Sequence, residues 1–183
     1  MHPAPVRLVH WWNVTAISFL VLSGFYIHDP LFWEGWFAGM DRARLVHLVA
    51  GWLLVAATFY RWGFALVTGE WRQVVFRWQD MKDLRQLLKY YLFLTSSYPQ
   101  KGKYNPGQKL AYTLLPFLII GQLVTGVILL KPALAPVAFA LGDLARLRLI
   151  HYLLTWVMLV FVLGHLYLVL QSGWQNIKTI IRG

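Results

Sequence analysis

Four long runs of apolar residues, separated by polar segments, dominate the hydrophobic pattern of this chain. Each run is close to or above the roughly 20 residues that an α-helix needs to cross a bilayer. Arg61 is the one charged side chain inside them. The pattern predicts transmembrane helices at about residues 8–28, 45–67, 110–130 and 149–171. We therefore expect an all-α integral membrane protein, with residues 1–183 forming a single domain built as a four-transmembrane-helix bundle.

The longest connection, residues 68–109, has a different pattern. Between residues 71 and 94, apolar positions such as Leu84, Leu87 and Leu88 recur among charges at helical spacing. Such a segment predicts an amphipathic helix that lies on the membrane surface rather than crossing it. The stretch Asn105-Pro106-Gly107 then predicts a turn into the third span.

Composition and charge agree with a membrane protein and indicate its orientation. Hydrophobic residues make up 58% of the chain and charged residues 13%, with a net charge of +10. Twelve of the 17 Lys and Arg residues fall on the side shared by the termini and the 68–109 connection. By the positive-inside rule, we expect both termini and the interfacial helix on the cytoplasmic side of the bacterial inner membrane. The basic excess is thus a topology signal with affinity for lipid, and no nucleic-acid partner is expected.

The chain contains no cysteine, which narrows the possible redox chemistry. Thiolate-held iron–sulfur clusters, covalent Cys-x-x-Cys-His haem attachment and disulfides are excluded. A metal centre would depend mainly on the six histidines.

One four-residue sequence motif occurs three times, each time near the start of an apolar run. It reads Arg7-Leu8-Val9-His10, then Arg44-Leu45-Val46-His47, then Arg148-Leu149-Ile150-His151. Residues three apart lie on the same helix face. Each Arg is therefore expected at the water boundary, with its His one turn deeper in the apolar layer.

The depth of each histidine predicts which of them meet. The second and fourth spans run in the same direction, so His47 and His151 should lie at one level near the outer surface. His165 follows His151 by 14 residues, or about 21 Å along a helix, which places it near the cytoplasmic surface with His10. Fourteen residues also make nearly four turns, so both fourth-span histidines face the same way. We therefore predict two pairs, His10 with His165 and His47 with His151. His2 and His28 have no partner at their depth.

Paired imidazoles without acidic neighbours favour haem over zinc. Zinc sites usually collect three or four ligands, often with cysteine or carboxylates, and no Asp or Glu lies inside a span. Two facing imidazoles suit the axial positions of a haem iron, and Arg7, Arg44 and Arg148 can bind haem carboxylates. His165 lacks such an Arg, so the inner haem would depend on Arg7. The alternatives are histidines that only pack, and histidines that form a metal or proton path.

At this point the chain resembles the di-haem cytochrome b subunits of membrane-bound formate dehydrogenases, nickel–iron hydrogenases and thiosulfate reductases. The resemblance covers nearly the whole chain. It rests on His10-Trp11, on His47, on the spacing of His151 and His165, and on the stretch from Gly102 to Lys109. It implies two haem b groups that pass electrons from a periplasmic iron–sulfur subunit and catalytic subunit to menaquinone or ubiquinone. This chain would then be an electron-transfer and anchor subunit without catalytic residues of its own.

The resemblance also implies a quinone site at the cytoplasmic side, with Asn105, Gly107 and Gln108 beside the haem of His165. A plain turn is the alternative interpretation of these three residues. The outer loop at residues 32–36 is expected to help dock the partner subunits. A free-standing cytochrome b of the bacterial b561 type, which exchanges electrons with quinone by itself, is the nearest alternative function.

Overall fold

The computed structural model describes residues 4–99, 104–140 and 142–171. Gly102 and Lys103 of the predicted quinone stretch, His2, and the chain beyond residue 171 lie outside these ranges. The described residues form seven α-helices, one 3-10 turn and no strand. In chain order the α-helices are α1 (Ala4–His28), α2 (Met40–Val67), α3 (Trp71–Val74), α4 (Asp80–Tyr91), α5 (Pro106–Leu130), α6 (Ala135–Ala140) and α7 (Leu144–Gln171), with the 3-10 turn at Pro132–Leu134.

Four of these helices, α1, α2, α5 and α7, are long and apolar enough to cross a membrane. The predicted all-α class with four spans is therefore confirmed. Each helix begins four or five residues before the predicted span, because backbone hydrogen bonding can continue past the long apolar run from which the span was predicted. In α2 the first turn contains Asp41, whose negative charge is favourable at a helix N-terminus.

The outer surface of these helices is apolar. Only 6% to 22% of the most apolar stretch of each span is buried inside the protein. Large side chains such as Phe59, Phe117 and Leu170 are mostly exposed. An apolar surface of this extent needs lipid around it, since water would not cover it favourably.

The chain separates into two compact units, residues 1–61 with 121–183, and residues 62–120. The first unit contains α1, α7, the first part of α2 and the second part of α5. Half of its buried positions are small, including Ala16, Ala43, Ala50 and Ala57. Small side chains let helix backbones approach each other where no hydrophobic effect drives association. The single-domain assignment stays a prediction.

The second unit contains the interfacial segment. The sequence predicted one helix over residues 71–94, and that boundary is wrong, because the structure has the short α3 and the separate α4 instead. The break has a local cause. The backbone N–H of Phe76 donates to Thr113 Oγ1 and that of Arg77 donates to Asp80 Oδ2, each at 2.8 Å. These N–H groups are therefore taken by side chains and do not continue the helix.

Helix α4 packs on the start of α5 through an apolar contact and an ion pair. Leu87 is only 2% exposed, and a Cβ added at Gly107 would lie 3.0 Å from its Cδ2. Lys109 Nζ donates to Asp80 Oδ1 at 2.8 Å. Burial raises the pKa of Asp80, but the hydrogen bonds and positive charges of Lys109 and Arg77 outweigh this effect. The pKa of the carboxyl is consequently below its usual value.

The Asp80–Lys109 pair predicts an acid-dependent loss of stability. A carboxyl with a lowered folded-state pKa contributes its full stability above its unfolded pKa, about 3.9, and loses it as the pH falls through the folded value. Asp80→Asn should lower the free energy of unfolding by about 2 kcal/mol at pH 7 and flatten its decline below about pH 4. Thermal unfolding in detergent across pH measures both effects. Lys109→Met should have a similar effect, and the two changes combined should cost less than their sum; full additivity would contradict the pairing.

Candidate functional site

The histidine pair that the sequence predicts near the outer surface, here called the outer pair, joins α2 to α7. The ring centres of His47 and His151 lie 6.2 Å apart, with their planes at 62°. Both side chains are partly buried in the first unit. These are the two residues that the sequence placed at the same depth.

The pair that the sequence predicts near the cytoplasmic surface, here called the inner pair, joins α1 to α7 with nearly the same geometry. The ring centres of His10 and His165 also lie 6.2 Å apart, with their planes at 60°. His10 is partly buried, whereas His165 is exposed. The four predicted residues thus meet in the two predicted combinations.

A separation of 6.2 Å is informative because it is too long for direct hydrogen bonding between the rings. Two imidazoles on opposite sides of one metal ion need about 2 Å for each metal–nitrogen bond and about 1 Å from each nitrogen to its ring centre, or about 6 Å in total. Both pairs have that spacing. Among the described residues, no group of three or more His, Cys, Asp or Glu side chains could hold a metal ion. The arrangement fits a cofactor that takes two protein ligands better than a zinc site.

A hydroxyl group orients each ring of the outer pair. Ser23 Oγ lies 2.9 Å from His47 Nδ1, and Thr125 Oγ1 lies 2.7 Å from His151 Nδ1. Each hydroxyl also donates to a carbonyl one turn earlier on its own helix, Ser23 to Phe19 and Thr125 to Gly121. Because the hydroxyl hydrogen is used there, the oxygen accepts from the Nδ1–H of the imidazole. This tautomer leaves Nε2 with a free lone pair for a metal.

A glycine follows each of these hydroxyl residues and makes room for the ring. A Cβ at Gly24 would lie 3.3 Å from His47 Cε1, and one at Gly126 would lie 3.4 Å from His151 Cε1. In the structure their free space borders the imidazole rings.

Comparison with known proteins shows to which family the chain belongs. The family model for prokaryotic cytochrome b561 matches residues 1–183. The chain belongs to that family.

Three similar proteins are each named as a probable Ni/Fe-hydrogenase B-type cytochrome subunit. The Rhodobacter capsulatus protein is 26% identical over 100% of this chain and 79% of its own length. The Azotobacter vinelandii protein is 28% identical over 99% and 84%. The Escherichia coli K12 protein, assigned to hydrogenase 1, is 23% identical over 97% and 85%.

A b-type cytochrome carries haem b, and the arginines of this cytochrome differ in how they could meet its carboxylates. Arg7 lies one turn before His10, and its Nη1 is buried without a hydrogen-bond partner among the described residues. A buried guanidinium nitrogen of this kind fits a carboxylate of the cofactor. Arg44 and Arg148 are exposed one turn outward from the other pair.

The three residues of the predicted quinone site form a helix cap in this structure. Gln108 N–H donates to Asn105 Oδ1 at 2.8 Å, and Asn105 N–H donates to Gln108 Oε1 at 3.0 Å. With Pro106 at the first helical position, this reciprocal pair is a capping box at the start of α5. Asn105 Nδ2 donates to Tyr98 Oη at 3.0 Å. These bonds give Asn105 and Gln108 a structural role, and Gly107 packs against Leu87. Their contact with quinone stays a prediction.

Sequence reasoning missed Ser23 and Thr125 as partners of the outer histidines. The only signal was a repeated pattern of a hydroxyl residue followed by glycine, at Ser23-Gly24 and Thr125-Gly126. Such dipeptides are common in transmembrane helices, so the pattern alone does not identify a ligand-orienting role. Gln122 was also missed. Its Nε2 donates to the His151 carbonyl and to Thr155 Oγ1, which ties α5 to α7 beside the same ring.

The space at the two glycines predicts a steric effect on the outer pair. Gly24→Ala and Gly126→Ala should push the facing ring by a few tenths of an ångström and destabilise the holoprotein by about 1–2 kcal/mol. Haem content after purification and the low-spin electron paramagnetic resonance signal measure the change. Gly63→Ala is the control, since a Cβ there meets nothing within 4 Å. Equal effects of all three substitutions would contradict a role specific to the rings.

The hydroxyl hydrogen bonds predict an electronic effect. An acceptor at Nδ1–H makes an imidazole more basic and favours the ferric state of its iron. Thr125→Val and Ser23→Ala should therefore raise the midpoint potential of one haem, as measured by redox titration. Thr125→Ser keeps the hydroxyl and should leave the potential near its original value. An unchanged potential in Thr125→Val would show that this hydrogen bond does not reach the metal.

Proposed function

We propose that this cytochrome is the electron-transfer and membrane-anchor subunit of a Ni/Fe-hydrogenase-type oxidoreductase, with one haem b at each histidine pair. The observation that supports this most strongly is the pair of matching separations, 6.2 Å at both His47–His151 and His10–His165. The two histidine pairs would hold haem iron, which supplies one-electron chemistry when bound. Two such sites at opposite ends of a bundle form a route for electrons across the membrane.

Residues of this chain orient the histidines of this route and provide partners for the haem carboxylates. Ser23 and Thr125 orient the outer imidazoles, and Gln122 ties the α7 backbone beside His151 to α5. Arg7 is the proposed partner of a haem carboxylate at the inner pair, and Arg44 and Arg148 are proposed for the outer pair.

The orientation of the chain follows from its charges. We assign the inner pair, the termini and helix α4 to the cytoplasmic side, because most Lys and Arg residues fall on that side. Electrons would enter at the outer pair from an iron–sulfur subunit, which itself receives them from the catalytic subunit. They would leave near His165 to menaquinone or ubiquinone. The exposure of His165 supports this exit, since a quinone needs access to the haem edge. Asn105, Gly107 and Gln108 remain the proposed quinone contacts.

The outer connection between α1 and α2 is the proposed docking surface for the partner subunits. Phe32 and Trp36 are 76% and 55% exposed. Trp33 lies between them, with ring contacts to Phe32, Trp36 and Phe25. His28, at the end of α1, stacks on Tyr152 with ring centres 4.1 Å apart, next to His151. Aromatic clusters of this kind are enriched at protein interfaces, and this one adjoins the outer pair.

A free-standing quinone oxidoreductase is the second candidate, and the b561 description of the family supports it. The names of the similar proteins favour the subunit role. Purification in a mild detergent separates the two. Co-elution with iron–sulfur and catalytic subunits supports the first function, whereas a haem protein that elutes alone and reduces quinone supports the second.

Two independent haem sites predict a defined stoichiometry. The pyridine haemochrome assay should give about two haems per chain. His47→Ala should remove one haem and leave the low-spin signal of the other, because the inner pair shares no ligand with the outer pair. His28→Ala is the matched control and should retain both. A ratio near one in the unchanged protein, or loss of both haems in His47→Ala, would contradict the proposed sites.

A further inference from the structure

A basic recess lies on the membrane-facing connection, away from both histidine pairs in the sequence. It has a volume of about 490 Å³ and is lined by Lys82, Arg85, Gln86, Lys89, Leu94 and Thr95. Lys82, Arg85 and Lys89 are spaced three and four residues apart on α4, so they share one helix face. Within the described part of the chain, none of these three cations forms a salt bridge, and no lining residue is acidic. The recess therefore concentrates unneutralised positive charge.

Hydrogen bonds fix the chain segments that line the recess. Gln86 Nε2 donates to Ser97 Oγ at 2.9 Å, which ties α4 to the segment that follows it. Leu94 N–H donates to the Lys89 carbonyl at 2.8 Å, and Phe93 N–H donates to the Tyr90 carbonyl at 3.0 Å. These two bonds form the Schellman motif that closes the C-terminus of α4. The recess is thus part of the folded chain rather than a gap between freely moving side chains.

The same motif contains an unusual residue. Phe93 has φ 59° and is the one non-glycine residue with positive φ in the described chain. Glycine normally occupies this position, because a side chain there costs about 1–2 kcal/mol. Phe93 is nevertheless 83% exposed, and its neighbours Leu92 and Leu94 are 66% and 72% exposed. Because these three apolar side chains are exposed, packing within the protein does not offset the backbone strain at Phe93.

The position of this segment in the chain indicates what covers it. Helix α2 ends at Val67 and α5 begins at Pro106, and the connection between them stays on one face of the membrane. The recess and the apolar tip at residues 92–94 therefore belong to the same face, which carries the lipid headgroups of one leaflet. A phosphate diester matches the three cations, and acyl chains match the adjacent tip.

We propose that Lys82, Arg85 and Lys89 bind the phosphate of an anionic phospholipid, with Phe93 and Leu94 inserted among its acyl chains. The site uses none of the four paired histidines, so the proposal is independent of the haem assignment. The hydroxyl of Thr95 and the amide of Gln86 supply further hydrogen-bonding groups at the phosphate. Free inorganic phosphate would satisfy the cations but not the apolar tip, so we assign the site to lipid.

Lipid titration of the delipidated holoprotein in detergent, followed by native mass spectrometry, tests the proposal. The probes are phosphatidylglycerol and phosphatidylcholine with identical acyl chains, and inorganic phosphate. The unchanged protein should bind phosphatidylglycerol more tightly than phosphatidylcholine. Replacing Lys82, Arg85 and Lys89 together by Gln should weaken phosphatidylglycerol binding about 100-fold. The matched control replaces Arg42, Arg72 and Lys131 by Gln, which removes the same charge elsewhere, and should retain the preference.

Several outcomes would overturn the proposal. Equal weakening in both triple variants would show general charge attraction, and equal binding of the two lipids would show that the headgroup is not recognised. Binding of inorganic phosphate as tight as that of phosphatidylglycerol would assign the recess to a free anion. Loss of partner subunits with unchanged phosphatidylglycerol binding would assign it to a protein. The haem spectrum of each variant verifies that it is folded.

Phe93 provides a second test that does not depend on removing charge. Phe93→Gly puts the usual residue into the Schellman motif, so the melting temperature in detergent should hold or rise. Its affinity for phosphatidylglycerol should fall about tenfold, since the inserted ring is lost. Phe93→Trp should keep the affinity. Unchanged lipid binding in Phe93→Gly would exclude insertion of the ring.

Discussion

The first unit depends on one constraint: each polar imidazole inside the apolar bundle needs a hydrogen-bond partner. Water does not reach the bundle interior, so the Nδ1–H of His47 and of His151 needs an acceptor from another helix. Ser23 and Thr125 provide it, and both can do so because their own hydrogens go to helix carbonyls. Each hydrogen bond also joins two helices, α1 to α2 and α5 to α7. The contacts that orient the rings therefore also hold the bundle together.

At both ends of the bundle the two histidine rings have the same separation, but the residues around the rings differ. At the outer end, hydroxyl residues and the adjacent glycines, Gly24 and Gly126, surround the rings. At the inner end, Arg7 has a buried guanidinium nitrogen and His165 is exposed. A closed end suits a group that only relays electrons, whereas an open end suits exchange with a diffusible molecule. This difference supports the proposed direction from the outer pair to the inner pair.

The second unit is stabilised by different interactions. The buried Leu87 and the Asp80–Lys109 ion pair hold α4 against the start of α5, and a capping box at Asn105 and Gln108 closes the N-terminus of α5. Polar and charged groups can serve as the main contacts here because this connection lies outside the four candidate spans, where water lowers the cost of charge. The exposed cations of α4 and the strained Phe93 are then free to face lipid.

The sequence by itself determined the four spans, the all-α class and the pairing of His10 with His165 and His47 with His151. Length, hydropathy and residue depth are properties of a single helix, so they can be counted along the chain. Only the tertiary structure decided which hydroxyls and glycines face the rings, that Nη1 of Arg7 is buried, and that the interfacial segment breaks before Asp80. These features depend on the rotation of one helix against another and on hydrogen bonds between distant residues, such as Phe76 to Thr113. The spacing of residues within one helix does not specify that rotation.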